Sequence, residues 1–245
     1  MNNYKLLIQY DGSRYKGWQR LGNTENTIQF KIEYVLCELV GSKIEITGSS
    51  RTDAGVHALA QTANFKTDKK LTETEIMSYL NSHLPQDISI IDVKTVPEQF
   101  HARFNAKTKV YLYKIWNKEY SHPFMRKYSM HIPYKLHIDS MKIAAQYFIG
   151  SHDFTTFSNT RSKTKSMVRT VYSIDIEEQS GFIYIRIRGD GFLHNMVRKI
   201  VGMLISVGVG EENPDIIPEI IDTKQRNRVN KLADACGLFL EDIEF

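Results

Sequence analysis

Only two cysteines occur in the 245 residues, Cys37 and Cys236. They are far apart in sequence and flanked by Leu36 and Ala235, so buried free thiols are expected rather than a disulfide framework or a metal site. Long apolar runs are also missing: none approaches the roughly 20 residues that span a bilayer. The start of the chain, Met1-Asn2-Asn3-Tyr4-Lys5, lacks the charged and apolar regions of a secretion signal. These absences predict a cytoplasmic protein with no membrane association. The remaining composition, 42% hydrophobic and 24% charged, is that of an ordinary globular chain, long enough for one large domain or two modest ones.

Negative charge is scarce in the middle of the sequence. Residues 1–104 carry 12 basic and 12 acidic side chains, residues 105–199 carry 16 and 7, and residues 200–245 carry 4 and 9. The net charge of +4 therefore conceals a strongly cationic centre. Such a surface suits a polyanionic partner such as nucleic acid.

Taken in order, Tyr4 to Tyr10 reads as a central strand closed by the turn residues Asp11-Gly12-Ser13. The loop Arg14-Tyr15-Lys16-Gly17-Trp18-Gln19-Arg20 interleaves cations with aromatics, a mixture that can hold phosphates and bases or simply cover a sheet edge with its rings. Residues 27–37 have helical apolar spacing, with Asn26 or Thr27 as the cap and Gly41 as the stop. Lys43 to Thr47 and Ala60 to Phe65 alternate as strands. Thr72 and Glu75 form a capping box for a second helix that Pro85 closes, and Ile88 to Val96 is a strand. The order is strand, helix, strand, strand, helix, strand.

Beyond a boundary near Asn105 the order repeats. Lys109 to Asn117 is a strand, Asp139 to Phe148 a capped helix, Val171 to Glu177 with Phe182 to Arg188 a hairpin, and Phe192 to Val207 a long helix. Gly237 to Leu240 supplies the last strand. The fold class predicted is α+β, two tandem ferredoxin-like βαββαβ units, residues 1–104 and 105–245, with antiparallel sheets joined around a central cleft. Gly150 to Thr170 reads as the longest irregular stretch, and its Arg161, Lys163, Lys165 and Arg169 are candidate RNA contacts, together with Arg14 and Lys16.

One carboxylate stands alone in the loop Ser49-Ser50-Arg51-Thr52-Asp53-Ala54-Gly55-Val56-His57-Ala58. Gly48 and Gly55 permit positive φ, so the chain can turn sharply and aim Asp53 outward from two anchoring strands. An Asp in such a place also often caps its own turn. The helix from Phe192 is apolar almost all round, and Arg198 inside it needs either an anionic partner or an exposed stripe. Asp53 is the partner expected, since an isolated buried guanidinium is costly.

Arg51-Thr52-Asp53-Ala54-Gly55-Val56-His57-Ala58 resembles the active-site motif of the TruA family of tRNA pseudouridine synthases. Tyr10-Asp11-Gly12 followed by Gly17-Trp18-Gln19 is similar to another segment of that family, and the likeness continues along the chain. The resemblance implies the two-unit fold, a tRNA partner, a homodimer, and isomerisation of uridine to pseudouridine on the 3′ side of the anticodon arm. It implies no cofactor and no metal. Asp53 would be the nucleophile, with Arg198 keeping it ionised. Tyr111 would stack on the target uracil, Arg51 would shape the loop or contact RNA, and His57 would be structural. From the residues alone, Tyr111 and Tyr113 are both equally suited to the core.

Two departures bear on which RNA is modified. Arg20-Leu21-Gly22-Asn23 follows Trp18-Gln19 where the family often has a second glutamine, and Leu232 to Cys236 replaces a Thr-Ala-Pro-like run. Another tRNA or ribosomal position is the alternative substrate. A non-catalytic RNA-binding module is the rival of another class, and a glycoside hydrolase is disfavoured because it ordinarily needs two carboxylates.

Overall fold

The structure is a computed structural model that describes residues 1–159 and 166–245. Its contacts divide the chain into two compact units, Met1–Lys107 with Phe239–Phe245, and Thr108–Leu238.

In the first unit, β1 (Asn2–Tyr10), α1 (Ile28–Val40), β2 (Thr47–Gly48), β3 (His57–Thr67), α2 (Glu73–His83) and β4 (Ile88–Val96) follow one another. The strand order β4-β1-β3 with β2 on β3, all antiparallel, is ferredoxin-like. β1 obeys the period-2 rule: Tyr4, Leu6, Ile8 and Tyr10 are all buried. Leu6 faces Ala63 on one side and Val93 on the other, which fixes the register of the sheet centre. α1 buries Ile28, Ile32, Val35 and Leu36, the i, i+4, i+7, i+8 stripe of an amphipathic helix. Its cap is Thr27, whose hydroxyl accepts from Phe30 N–H. Both halves of the Thr72–Glu75 capping box are formed.

The strand expected at Lys43 to Thr47 shrinks to Thr47–Gly48. One reason is the buried Glu33, whose carboxylate takes the Ile46 N–H at 3.0 Å and so diverts that donor from a ladder. The last strand of the chain, Leu238–Glu244, lies parallel to β3, with Phe239 opposite His57 and Leu240 opposite Ala58.

The second unit contains β5 (Thr108–Trp116), β6 (Met130–His131), α3 (Ile138–Gln146), β7 (Gly150–Asp153), β8 (Val168–Gln179), β9 (Phe182–Gly189), α4 (Met196–Gly208) and α5 (Ile217–Thr223), which makes the last strand β10. β9 lies between β5 and β8, repeating the split order of the first unit, and β7 extends the edge. The β8–β9 hairpin turns on Ser180 and Gly181, both at positive φ, as a two-residue hairpin loop requires.

Three expectations change here. Gly150 to Thr170 is not wholly irregular, because β7 pairs with the start of β8. α3 has no side-chain cap hydrogen bond at His137. α4 begins at Met196 rather than Phe192, since Asn195 at φ 63° cannot continue a helix backward. Arg161, Lys163 and Lys165 lie outside the described residues.

α4 is buried almost throughout, and Lys199 is buried with it. Its ammonium donates to the Thr156 carbonyl at 3.3 Å. Burial, reinforced by the nearby Arg226 charge, lowers its pKa below the ordinary 10.5. Between the lowered value and 10.5 the unfolded chain binds a proton that the folded chain has released, so stability rises with pH across that window. Lys199→Met is expected to remove this rise and to increase stability near neutral pH, as denaturant melts at neutral and alkaline pH will show.

Candidate active site

The loop Ser49–Ala58 is clamped at its entry by β3. Ser49 N–H donates to Thr62 O at 2.8 Å, and the fully buried Gln61 donates to Ser50 O at 2.7 Å while accepting from Ser50 N–H at 3.3 Å. Arg51 is exposed. Thr52 is buried, its hydroxyl 2.7 Å from the Tyr10 phenol, so a β1 side chain holds the residue before Asp53. The Asp53 carbonyl accepts from Val56 N–H at 3.1 Å, and Gly55 sits at φ 78°. Asp53 is therefore at the head of a tight turn, half-buried, between the buried Thr52 and Val56.

What lies beneath the turn explains the second family-like segment. Trp18 N–H donates to Thr52 O at 3.0 Å. A Cβ on Gly17, whose φ is 101°, would stand 2.6 Å from Thr52 O and 3.1 Å from the Asp53 carbonyl carbon. A Cβ on Gly12 would stand 1.9 Å from Val56 O. Backbone therefore packs on backbone at both points, and only glycine allows it. Gly48 takes ordinary negative φ, contrary to expectation; it is required because the Trp18 ring would lie 2.5 Å from its Cβ.

Trp18 and Tyr15 are buried, which settles the open choice for that loop: their rings are core, not a stacking surface. Tyr15 donates to Asp87 at 2.5 Å, and burial together with that bond raises its pKa. Arg14 is held by the same carboxylate at 2.6 Å, its side chain still open to solvent, and Lys16 is exposed. His57 is buried: Nδ1 accepts from Gly12 N–H at 3.1 Å and the ring stacks on Phe239 at 4.7 Å. The same Nδ1 lies 3.2 Å from Asp11 Oδ1.

In the second unit, Tyr111 on β5 is buried and meets Phe192 edge-on at 5.2 Å. Tyr113, two residues on, is buried as well. Its hydroxyl donates to Asp234 O at 2.8 Å, burial raises its pKa, and its ring would meet a Cβ on Gly237 at 2.7 Å. Arg198 is half-buried in α4; Nε donates to Ala233 O at 2.7 Å, and Nη1 lies 3.4 Å from Asn195 Oδ1. Arg169 donates to the Ser166 and Val168 carbonyls at 3.1 and 2.5 Å.

Both cysteines are free, and half-buried rather than buried as expected. Among the described residues no group of three His, Cys, Asp or Glu side chains could hold a metal ion. The bonds of Tyr10 and Gln61 and the packing of Gly12 and Gly17 carry no local signal in the sequence beyond the family-like segments Tyr10-Asp11-Gly12 and Gly17-Trp18-Gln19. Gly17→Ala is expected to destabilise the first unit by about 1–3 kcal/mol, from the backbone clash and the positive φ together, measured by urea unfolding.

The family model described as tRNA pseudouridine synthase matches residues 6–105 and 144–245. The tRNA pseudouridine synthase A 2 of Bacillus cereus (strain ZK / E33L) is 62% identical over 245 residues, 100% of each chain. The tRNA pseudouridine synthase A of Bacillus sp. (strain KSM-64) is also 62% identical at full coverage, and that of Acetivibrio thermocellus is 42% identical over the full length of both chains. A match covering most of this chain, and including the loop that Gly12, Gly17 and Gln61 hold in place, shows that the chain belongs to the tRNA pseudouridine synthase family.

Proposed function

We propose that this protein isomerises uridine to pseudouridine in tRNA, on the 3′ side of the anticodon arm, with Asp53 as the nucleophile. The observation that carries this reading is the Asp53 turn itself, a half-buried carboxylate fixed by glycine-backed packing in a chain of this family. The reaction changes no atom count. The bond from ribose C1′ to uracil N1 breaks, a bond from C1′ to uracil C5 forms, and the proton that leaves C5 is balanced by one gained at N1. A carboxylate can assist by attacking C1′, releasing uracil to rotate, or by adding to C6; either route needs it ionised.

Arg198 is assigned the charge that keeps it so. A pocket that excludes water around a base raises a carboxyl pKa by up to about 3–5 units, while a neighbouring guanidinium lowers it by about 1–3. Tyr111 is assigned the stacking ring for the displaced uracil. Stacking contributes about 1–3 kcal/mol, comparable to the few kcal/mol that extruding a base costs. Arg51, exposed on the Asp53 loop, is assigned an RNA contact, as are Arg14, Lys16 and Arg169 and the three cations at 161, 163 and 165. We further infer a homodimer working in the cytoplasm, where its tRNA substrate is found.

Asp53→Asn removes the charge and keeps the shape. It is expected to lower pseudouridine formation on a tRNA transcript on the order of 10⁴-fold or more while tRNA affinity stays near the parent value. Persistence of activity in that variant would overturn Asp53 as the nucleophile. Mapping pseudouridine in RNA from cells lacking the protein tests the position: loss is expected in the anticodon arm, and loss elsewhere would replace that assignment.

A further inference from the structure

Between β5 and α3 the second unit carries an excursion, residues 117–135, that falls between the two blocks matched by the family model. It is well anchored. Asn117 Nδ2 donates to Ile132 O at 2.8 Å and Tyr134 O at 2.7 Å, Trp116 Nε1 donates to Tyr120 O at 2.8 Å, and a His131 ring nitrogen lies 2.8 Å from Lys118 O. Buried Ser129 ties the middle down by donating to Met125 O at 3.0 Å.

On this held segment three large rings face solvent: Tyr120 is 77% exposed, Phe124 85% and Tyr134 71%. Trp116 lies 4.7 Å from Phe182 and 4.9 Å from His122, and the His122 ring meets Phe124 edge-on at 6.4 Å. Lys118, Arg126, Lys127 and Lys135 are exposed on the same segment, against the single acid Glu119. Among the described residues none of these four cations is in an ion pair.

Three large rings left to solvent on one short, anchored segment are more than the single exposed side chains any surface carries, and point to a contact surface. A second copy of the chain is a poor occupant, because a two-fold contact would bring this cationic face against itself. Rings interleaved with cations that no carboxylate holds, Arg126 donating only to the Pro123 carbonyl at 2.6 Å, fit a polyanion whose flat groups are available for stacking. We propose that residues 117–135 form an RNA-contact surface for unpaired nucleotides of the substrate RNA, Tyr120, Phe124 and Tyr134 stacking on bases and Lys118, Arg126, Lys127 and Lys135 holding phosphates. The identity of the RNA as tRNA rests on the function proposed above; the surface chemistry does not.

The test uses the full chain, a tRNA transcript and a fully paired RNA hairpin as probes. Tyr120→Ala with Phe124→Ala is expected to raise the Kd and KM for tRNA about tenfold or more, leaving kcat at saturation and hairpin binding unchanged. Arg126→Gln with Lys127→Gln is expected to reduce the slope of log Kd against log salt by about 1.5, with the melting temperature of both variants unchanged. Values within twofold of the parent for both pairs would overturn the surface. So would loss of tRNA affinity that tracks dissociation of a dimer in sedimentation, which would give the surface to a second copy. A parent protein that shows this binding pattern yet forms no pseudouridine would refute the function proposed above and leave this surface standing.

Discussion

Where Gly12 and Gly17 meet the underside of the Asp53 loop, main chain lies on main chain with no room for a Cβ, and the geometry of the first unit around the loop follows from that closeness. A loop supported by side chains inherits their rotamer freedom; one supported by backbone inherits the stiffness of the peptide planes. The Trp18 N–H to Thr52 O bond and the Gly12 N–H to His57 bond then satisfy polar groups that this approach has taken out of water. Tyr10 and Gln61 complete the arrangement from the adjoining strands, so β1 and β3 each contribute one buried polar side chain to fixing the turn.

This division of labour has a chemical rationale. A nucleophile contributes most when its position is set before substrate arrives, since ordering it during the reaction would cost rate. The polar groups nearest Asp53 in sequence are already bonded within the unit, among them Thr52 and Ser50. Asp53 itself, half-buried at the head of the turn, is held where that packing sets it.

Local signals were legible in the sequence wherever a few neighbouring residues decide the structure. The Thr72–Glu75 box, the Thr27 cap and the β8–β9 hairpin each rest on contacts within a short window. The Asp53 loop was legible too, as a polar turn between strands. What stayed hidden depends on contacts across long separations. Nothing near Gly12 announces that Val56 O lies where its Cβ would be, and nothing near Tyr113 announces the Asp234 carbonyl that its hydroxyl reaches. The late start of the strand expected from Lys43 has as one reason Glu33, a charged residue on a helix that composition alone would leave in solvent. The late start of α4 was a single backbone angle at Asn195.

The parallel pairing of β10 with β3 has a bearing on how the protein is made. β2 covers β3 at Ala63 and Asn64, but His57 and Ala58 on the same strand wait for Phe239 and Leu240, and Lys107 N–H waits for Glu244 O. During synthesis those waiting positions are an uncovered strand edge, and the ring that stacks on His57 arrives only with the final residues. The unit that carries the Asp53 loop is thus begun by residues 1–107 and completed only when residues 239–245 pair with it, so its last contacts close across the whole of the second unit's sequence, the kind of long-range closure that costs chain entropy before it is rewarded.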